Sequence, residues 1–433
     1  MLSGTRTRRR ALRLWGAIPF AVASMVLAGC GSGSGAAGRL SVGPPRALYD
    51  TPITIRVSGL DAGQTVTLTM STTDKTGRTW SSSATFRADS AGRVTGASEP
   101  ASDTDGGGDP QILYDSLEPA GGGQAEFDPP HPWTIQVSLL DGGFDSKVVA
   151  TRTVVRRTPL EDHLVTVRAL RPAHGGLYGE LFEPVHPRRG ATSVLTFGGS
   201  EGGLFYAAQT AAALAAAGHP ALALAYFDAP GLPHNLDRIP IEYFGSALHR
   251  LDRAAHVDPH RIAVWGVSRG SEAAQLTAVH YPALVAGVVA LVPSDVSYPS
   301  LPDGAHAAWT FDNVPVPTSQ EFDNPAPTDV PDAVIPIARF PGPVFTACGD
   351  LDMIWSSCAF AHAIQHALGT RATAQTYDSG HLVGLVPGYP STVTSLDRAG
   401  HTLVFGGSPS ATARARGQEW PQVLRFLDNL PRR

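Results

Sequence analysis

Arg261-Ile262-Ala263-Val264-Trp265-Gly266-Val267-Ser268-Arg269-Gly270, followed by the helix-patterned stretch Ser271 to Val279, is the segment on which the fold turns. A short apolar run that stops at glycine reads as a strand buried on both faces. Gly266-Val267-Ser268-Arg269-Gly270 is then a G-x-S-x-G turn between strand and helix, the context of a nucleophile elbow. Its glycines answer a steric demand: the turn forces the serine into a strained backbone geometry where strand and helix touch and side chains at the flanking positions would clash. The competing reading, a glycine-rich turn with an incidental serine, explains neither the strand before it nor the helix after it. The motif predicts an α/β-hydrolase fold with the Ser268 hydroxyl projecting from the top of the sheet.

Outward from the elbow, short apolar runs alternate with helical stretches: Val194 to Phe197, Ala221 to Ala225, Val285 to Val292 and Val344 to Ala347. This is the texture of a mainly parallel sheet with helices on both faces. An Ala-rich helix is expected over 206–217, closed by Gly218. Upstream, from about Arg39 to Arg157, the pattern changes to period-two alternation, as in Ile53-Thr54-Ile55-Arg56-Val57, Val66 to Met70 and Trp133 to Val137. Alternation buries one strand face and wets the other, so this part is expected to be an antiparallel β-sandwich. The expected division is residues 39–157 for the sandwich and 158–433 for the catalytic domain.

A serine hydroxyl needs a base, and the base an orienting carboxylate, which follow in this fold in the order Ser, Asp, His. The acid is expected in Cys348-Gly349-Asp350-Leu351-Asp352, with Asp352 favoured by its place three residues after the loop glycine and Asp350 as the alternative. The histidine is expected at His381, after the last predicted strand and a loop glycine; His401 also follows the acid, while His362 and His366 fall on a helical pattern. Oxyanion donors are expected from the backbone N–H of Arg269 and from the glycine loop Phe197-Gly198-Gly199-Ser200-Glu201-Gly202-Gly203, with Gly199 first and Ser200 next. The 15 histidines are scattered, without a His-x-x-x-His pair beside a glutamate, so neither a metal nor a cofactor is expected.

Charged residues make up 16% of the chain and the net charge is −5, without the basic stripe that a nucleic-acid partner demands. The first 29 residues are expected to be a lipoprotein signal peptide. Arg6, Arg8, Arg9, Arg10 and Arg13 precede an apolar stretch, Leu14 to Leu27, that is short and interrupted for a membrane span. Leu27-Ala28-Gly29-Cys30 is similar to a bacterial lipobox, with Cys30 as the lipidated residue anchoring the protein to the membrane and residues 30–38 as a Gly/Ser tether. The arginines also resemble a twin-arginine signal, with Ala11 where an aromatic is usual. In an oxidising compartment Cys348 and Cys358 could form a disulfide, or stand as two buried thiols.

The elbow from Trp265 to Gly270, the stretch Leu222 to Phe227 with Leu232-Pro233 and Ile241-Glu242-Tyr243-Phe244, the acid loop with Trp355 and Ser356, and Gly380-His381 together resemble the acyl-CoA thioesterase and bile-acid-CoA:amino-acid N-acyltransferase family. Val57-Ser58-Gly59-Leu60, Phe86 to Gly92, Leu113 to Pro119 and the tail from Gly406 to Leu427 are similar in collinear order. The resemblance implies Ser268 as nucleophile, Asp352 as acid and His381 as base. It further implies thioester hydrolysis, since the N-acyltransferase members carry cysteine at the nucleophile position. An acyl thioester is the implied substrate; the alternative is an extracytoplasmic carboxylesterase or acyltransferase acting on lipid or other oxygen esters, because export would separate the protein from cytoplasmic acyl-CoA.

Overall fold

Eight strands form the larger sheet, in the spatial order Ala372–Tyr377, Val344–Gly349, Gly287–Leu291, Ile262–Val267, Ser193–Phe197, Ala221–Ala225, Tyr178–Pro184 and Val165–Leu170. The first six run parallel, and the last two are antiparallel at one edge. This computed structural model describes residues 38–95, 112–142, 146–171, 176–254, 257–398 and 401–432. The expected signal peptide, Cys30 and all of the tether except Gly38 lie outside the described residues.

Successive side chains on a strand point to opposite faces, and each central strand feeds two apolar clusters. Val194, Ala263, Trp265, Val289 and Phe345 face one side, under helices Phe205–Ala216 and Pro409–Asp428. Leu195, Val264, Val288 and Val344 face the other, under helices Ile241–Asp252, Arg269–His280 and Ser357–Leu368. With both faces covered, these strands have no wet side and so read as unbroken apolar runs. The Ala-rich helix ends where expected: Gly218 takes φ +93°, and its N–H donates to Ala215 O. Order, direction and coverage together are those of the α/β-hydrolase fold. Among the described residues no helix is long and apolar enough to cross a membrane.

The N-terminal region forms a six-stranded sheet, ordered Arg46–Leu48, Val148–Arg157, Trp133–Asp141, Thr65–Thr73, Thr79–Arg87 and Glu118–Pro119, and a two-stranded sheet of Arg39–Gly43 with Thr54–Ser58. Pairing is antiparallel as expected, except that Arg46–Leu48 runs parallel to Val148–Arg157 at one edge. Leu40, Ile55 and Val57 of the small sheet share one core with Leu68, Met70, Trp80 and Ile135 of the large one. That core continues into the C-terminal region. Tyr49 packs on Tyr389 with ring centroids 4.7 Å apart, Tyr114 O–H donates to Gly388 O at 2.8 Å, and Phe127 N–H donates to Pro390 O at 3.0 Å. Residues between the N-terminal strands therefore pack on the segment that follows His381.

One buried charge predicts a pH effect. Asp295, past the end of strand Gly287–Leu291, is 5% exposed, its Oδ1 has no hydrogen-bond partner, and burial raises its carboxyl from the usual 3.8 to about 7. The folded state then holds a proton that the unfolded state releases, so stability falls as pH rises through the window from about 4 to about 7. Asp295→Asn removes that dependence. Urea denaturation should show the variant equal to the parent near pH 4 and more stable at pH 8, by up to about 4 kcal/mol. An equal difference at both pH values would show that the ionised carboxylate is compensated.

Candidate active site

The elbow is built as its glycines require. Ser268 takes φ +55° and ψ −124°, a strained conformation for a residue with a side chain. A Cβ on Gly266 would lie 2.0 Å from Gly270 O, and one on Gly270 would lie 2.1 Å from Gly198 O. Neither position has room for any other residue. The strain aims Ser268 Oγ at His381, whose Nε2 is 2.9 Å away. His381 Nδ1 is 2.8 Å from Asp352 Oδ2. Asp352 Oδ1 accepts from Ile354 N–H at 2.9 Å, so the acid is held on its second oxygen while its side chain is 1% exposed. The structure thus joins Ser268, His381 and Asp352 in one hydrogen-bonded chain. Asp350, the alternative, is exposed and among the described residues accepts from Ser379 N–H, at 3.3 Å, 29 residues further along the chain.

Two features fix that chain in place. Cys348 and Cys358 are disulfide-bonded, with Cα atoms 5.1 Å apart, and the bridge closes the loop that carries Asp352 and Trp355. Around the histidine, Trp355 meets the His381 ring edge-on at 5.7 Å and Phe405 stacks on it at 6.3 Å. His362 and His366 lie on helix Ser357–Leu368, away from this chain of bonds, and the backbone of His401 lies in the hairpin of Ser395–Arg398 with His401–Val404.

The glycine loop lies against the elbow, as expected. Tyr226 O–H donates to Gly199 O at 2.7 Å and lies 3.0 Å from Gly198 O. Because a trans peptide points its N–H opposite its C=O, gripping both carbonyls turns the N–H groups of Gly199 and Ser200 away from Tyr226. The structure adds a partner that sequence reasoning missed. Gly199 N–H donates to the Glu201 carboxylate, 3.0 and 2.9 Å from its two oxygens, so the expected donor is engaged by a side chain of its own loop. Arg269 N–H stands at the first position of helix Arg269–His280, where no intrahelical acceptor exists.

The Arg269 side chain does separate work. Its guanidinium donates to Tyr298 O at 2.8 Å and Pro299 O at 3.0 Å and pairs with Glu272 at 2.7 Å, both side chains being buried. Glu272 in turn accepts from Trp309 Nε1 at 2.8 Å, and burial lifts its carboxyl to about 6 against the pull of Arg269. The segment between strands Gly287–Leu291 and Val344–Gly349 is pinned over the elbow by this network. It contributes Leu301, Pro302 and Phe322 to a cavity of about 830 Å³ that opens beside Ser268 and His381. Glu126, from the N-terminal region, also lines the cavity. Among the described residues no group of three or more His, Cys, Asp or Glu is placed to hold a metal ion.

Both regions of the chain match family models. Residues 50–166 match the family described as the acyl-CoA thioester hydrolase/BAAT N-terminal region, and residues 239–430 match that described as BAAT / acyl-CoA thioester hydrolase C terminal. Acyl-coenzyme A thioesterase 6 of Mus musculus is 28% identical over 420 residues, covering 90% of this chain and 96% of its own length. Acyl-coenzyme A thioesterase 1 of the same organism is 26% identical over 88% of this chain and 94% of its own. Among solved structures, a bacterial heroin esterase aligns over 62% of this chain and 85% of its own at 17% identity, with a TM-score of 0.40.

Proposed function

The chain belongs to the acyl-CoA thioester hydrolase/BAAT family, and from that premise we propose that it is a serine acyl hydrolase that cleaves thioesters through an acyl-Ser268 intermediate. The observation that carries the proposal is the hydrogen-bonded chain from Ser268 Oγ through His381 to Asp352, set in the wall of a cavity that also presents Phe197, Val267 and Leu382 to an acyl chain.

In this mechanism His381 Nε2 takes the Ser268 proton as Oγ bonds to the acyl carbon. The carbonyl oxygen becomes an oxyanion facing the N–H of Arg269 and, once Glu201 has withdrawn, that of Gly199. Collapse breaks the bond to the leaving sulfur, which accepts the proton from His381. Water then attacks the acyl-serine, gives a proton to His381 and releases the carboxylic acid; the proton returns to Ser268. Asp352 holds the ring in the tautomer with Nδ1–H and stabilises the imidazolium. The proposal includes export and tethering through Cys30, supported by the basic start, the apolar stretch and Leu27-Ala28-Gly29-Cys30. Such a location favours a second reading, in which oxygen esters of the envelope are the substrates.

Turnover of matched acyl thioesters and oxygen esters by the purified ectodomain separates the two. A higher kcat/KM on thioesters, by tenfold or more at equal acyl length, is expected. A preference for oxygen esters would replace the thioesterase reading with the esterase one, and turnover of neither would sink both.

A further inference from the structure

Two adjacent glycines, Gly198 and Gly199, sit in the loop beside the elbow. Without side chains, the peptide planes on either side of Gly199 turn at small steric cost. Gly199 nevertheless lies against the nucleophile: a Cβ there would come within 3.0 Å of Ser268 Cβ, 3.0 Å of Val267 O and 3.2 Å of Glu201 Oε2. The Glu201 carboxylate that accepts from Gly199 N–H therefore stands on the face of Gly199 that meets Ser268. An oxyanion formed on Ser268 has to take up that N–H, and the carboxylate then no longer holds the donor from the front.

A hold from behind remains. Strands Ser193–Phe197 and Ala221–Ala225 are parallel neighbours, so their C-terminal ends leave the sheet side by side, and Tyr226, one residue past the second, reaches the loop that follows the first. Its hydroxyl lies 2.7 Å from Gly199 O and 3.0 Å from Gly198 O, the carbonyls of the two peptides that flank Gly199. Tyr226 is 3% exposed, and its ring packs among Phe197, Phe244 and Trp309 with centroids 6.1, 5.4 and 5.7 Å away. Trp309 is itself tied through Nε1 to Glu272 of the elbow helix. Burial, reinforced by Glu201, holds the phenol well above its usual 10, so the oxygen keeps its proton and acts on the carbonyls as a donor.

We propose that Tyr226 is a positioning residue for the oxyanion: by holding both carbonyls it keeps Gly199 N–H directed to the Ser268 side of the loop after the Glu201 carboxylate has been displaced. This rests on the serine-hydrolase reading above and adds to it a residue outside the lining of the cavity. A trans peptide whose carbonyl is fixed has its N–H fixed in the opposite direction, so one hydroxyl behind the loop sets the donor in front of it. Without that hydroxyl the glycine peptides are free to rotate. A donor that must first be aligned stabilises the transition state less than a preorganised one.

Tyr226→Phe tests this, since it keeps the ring packing and removes only the O–H. Its kcat/KM on acyl esters and thioesters should fall by about ten- to a hundredfold, part of what deleting an oxyanion donor costs. Loss of activity alone would also fit a structural role, so the deciding readout is inhibition by an alkyl trifluoromethyl ketone beside the matching methyl ketone. With the trifluoromethyl ketone, Ser268 Oγ bonds to the carbonyl carbon as its proton passes to His381 Nε2, and the carbonyl electron pair moves to oxygen to give a hemiketal oxyanion. The methyl ketone binds without that step. The variant should bind the trifluoromethyl ketone about ten- to a hundredfold more weakly, and the methyl ketone within about threefold of the parent. Tyr226→Met, which also lacks the hydroxyl, serves if Tyr226→Phe does not fold. Equal weakening of both ketones, or of neither, overturns the proposal and leaves the serine-hydrolase reading standing. If the parent neither turns over the substrates nor distinguishes the two ketones, the serine-hydrolase reading fails and the proposal with it.

Discussion

Ser268→Ala should lower kcat by about 10⁵ to 10⁶-fold, leaving only the residual rate that substrate positioning and oxyanion donors supply. The loss is expected to be so large because Ser268 Oγ is the atom that bonds to the acyl carbon, and His381 Nε2 at 2.9 Å is its hydrogen-bond partner. Folding should be spared, since alanine keeps the backbone strain and removes only that one bond. Ser268→Gly should be equally inactive yet more stable than Ser268→Ala by about 1 kcal/mol, because glycine adopts φ +55° without steric cost. Single-turnover assays and urea denaturation check the pair. Activity within tenfold of the parent in Ser268→Ala would remove the nucleophile from the mechanism.

Asp352→Asn should lower kcat by about 10⁴-fold, or about 5.5 kcal/mol in activation free energy. An asparagine amide can turn its N–H₂ toward His381 Nδ1, which then must be unprotonated, and Nε2 in that tautomer carries a proton and cannot accept one from Ser268. The backbone N–H groups of Ile354 and Trp355 favour this inversion by continuing to claim the side-chain oxygen. Asp350→Asn should change kcat by no more than a few-fold, because its carboxylate is exposed and bonds to Ser379 N–H, not to His381. Measuring both variants side by side decides the acid. A larger loss in Asp350→Asn would transfer the role.

The contrast between those aspartates shows where local information ends. Asp350 and Asp352 share one loop, and a place three residues after Gly349 favoured Asp352 while leaving Asp350 open; the turn after Gly349 delivers Asp352 to His381. Cys348 and Cys358 were likewise consistent with a bridge or with free thiols until their Cα atoms proved to lie 5.1 Å apart. The two antiparallel strands Val165–Leu170 and Tyr178–Pro184 escaped the sequence reading for a different reason. Val165–Leu170 is an edge strand with one buried residue, one half-buried and the rest exposed, so it lacks the apolar run that marked the central strands. The segment between residues 292 and 343 contains only short strands and single turns of 3₁₀ helix, and its shape depends on Arg269 and Glu272 far from it in the chain.

What the sequence by itself determined was the central sheet and the elbow. Burial on both faces leaves apolar runs that need no partner to be recognised, and Gly266 and Gly270 are imposed because a Cβ at either would lie 2.0 or 2.1 Å from a neighbouring carbonyl oxygen. The tertiary structure turned the preference for Asp352 into a contact with the histidine, and it alone decided that Tyr226 and Glu126 belong to the site and that Glu201 holds Gly199 N–H. Tyr226 reaches Gly199 across 27 residues and Glu126 reaches Tyr206 across 80. A side chain whose partner lies that far along the chain leaves no local periodicity, since the turns between them, and not the residues themselves, bring the two together.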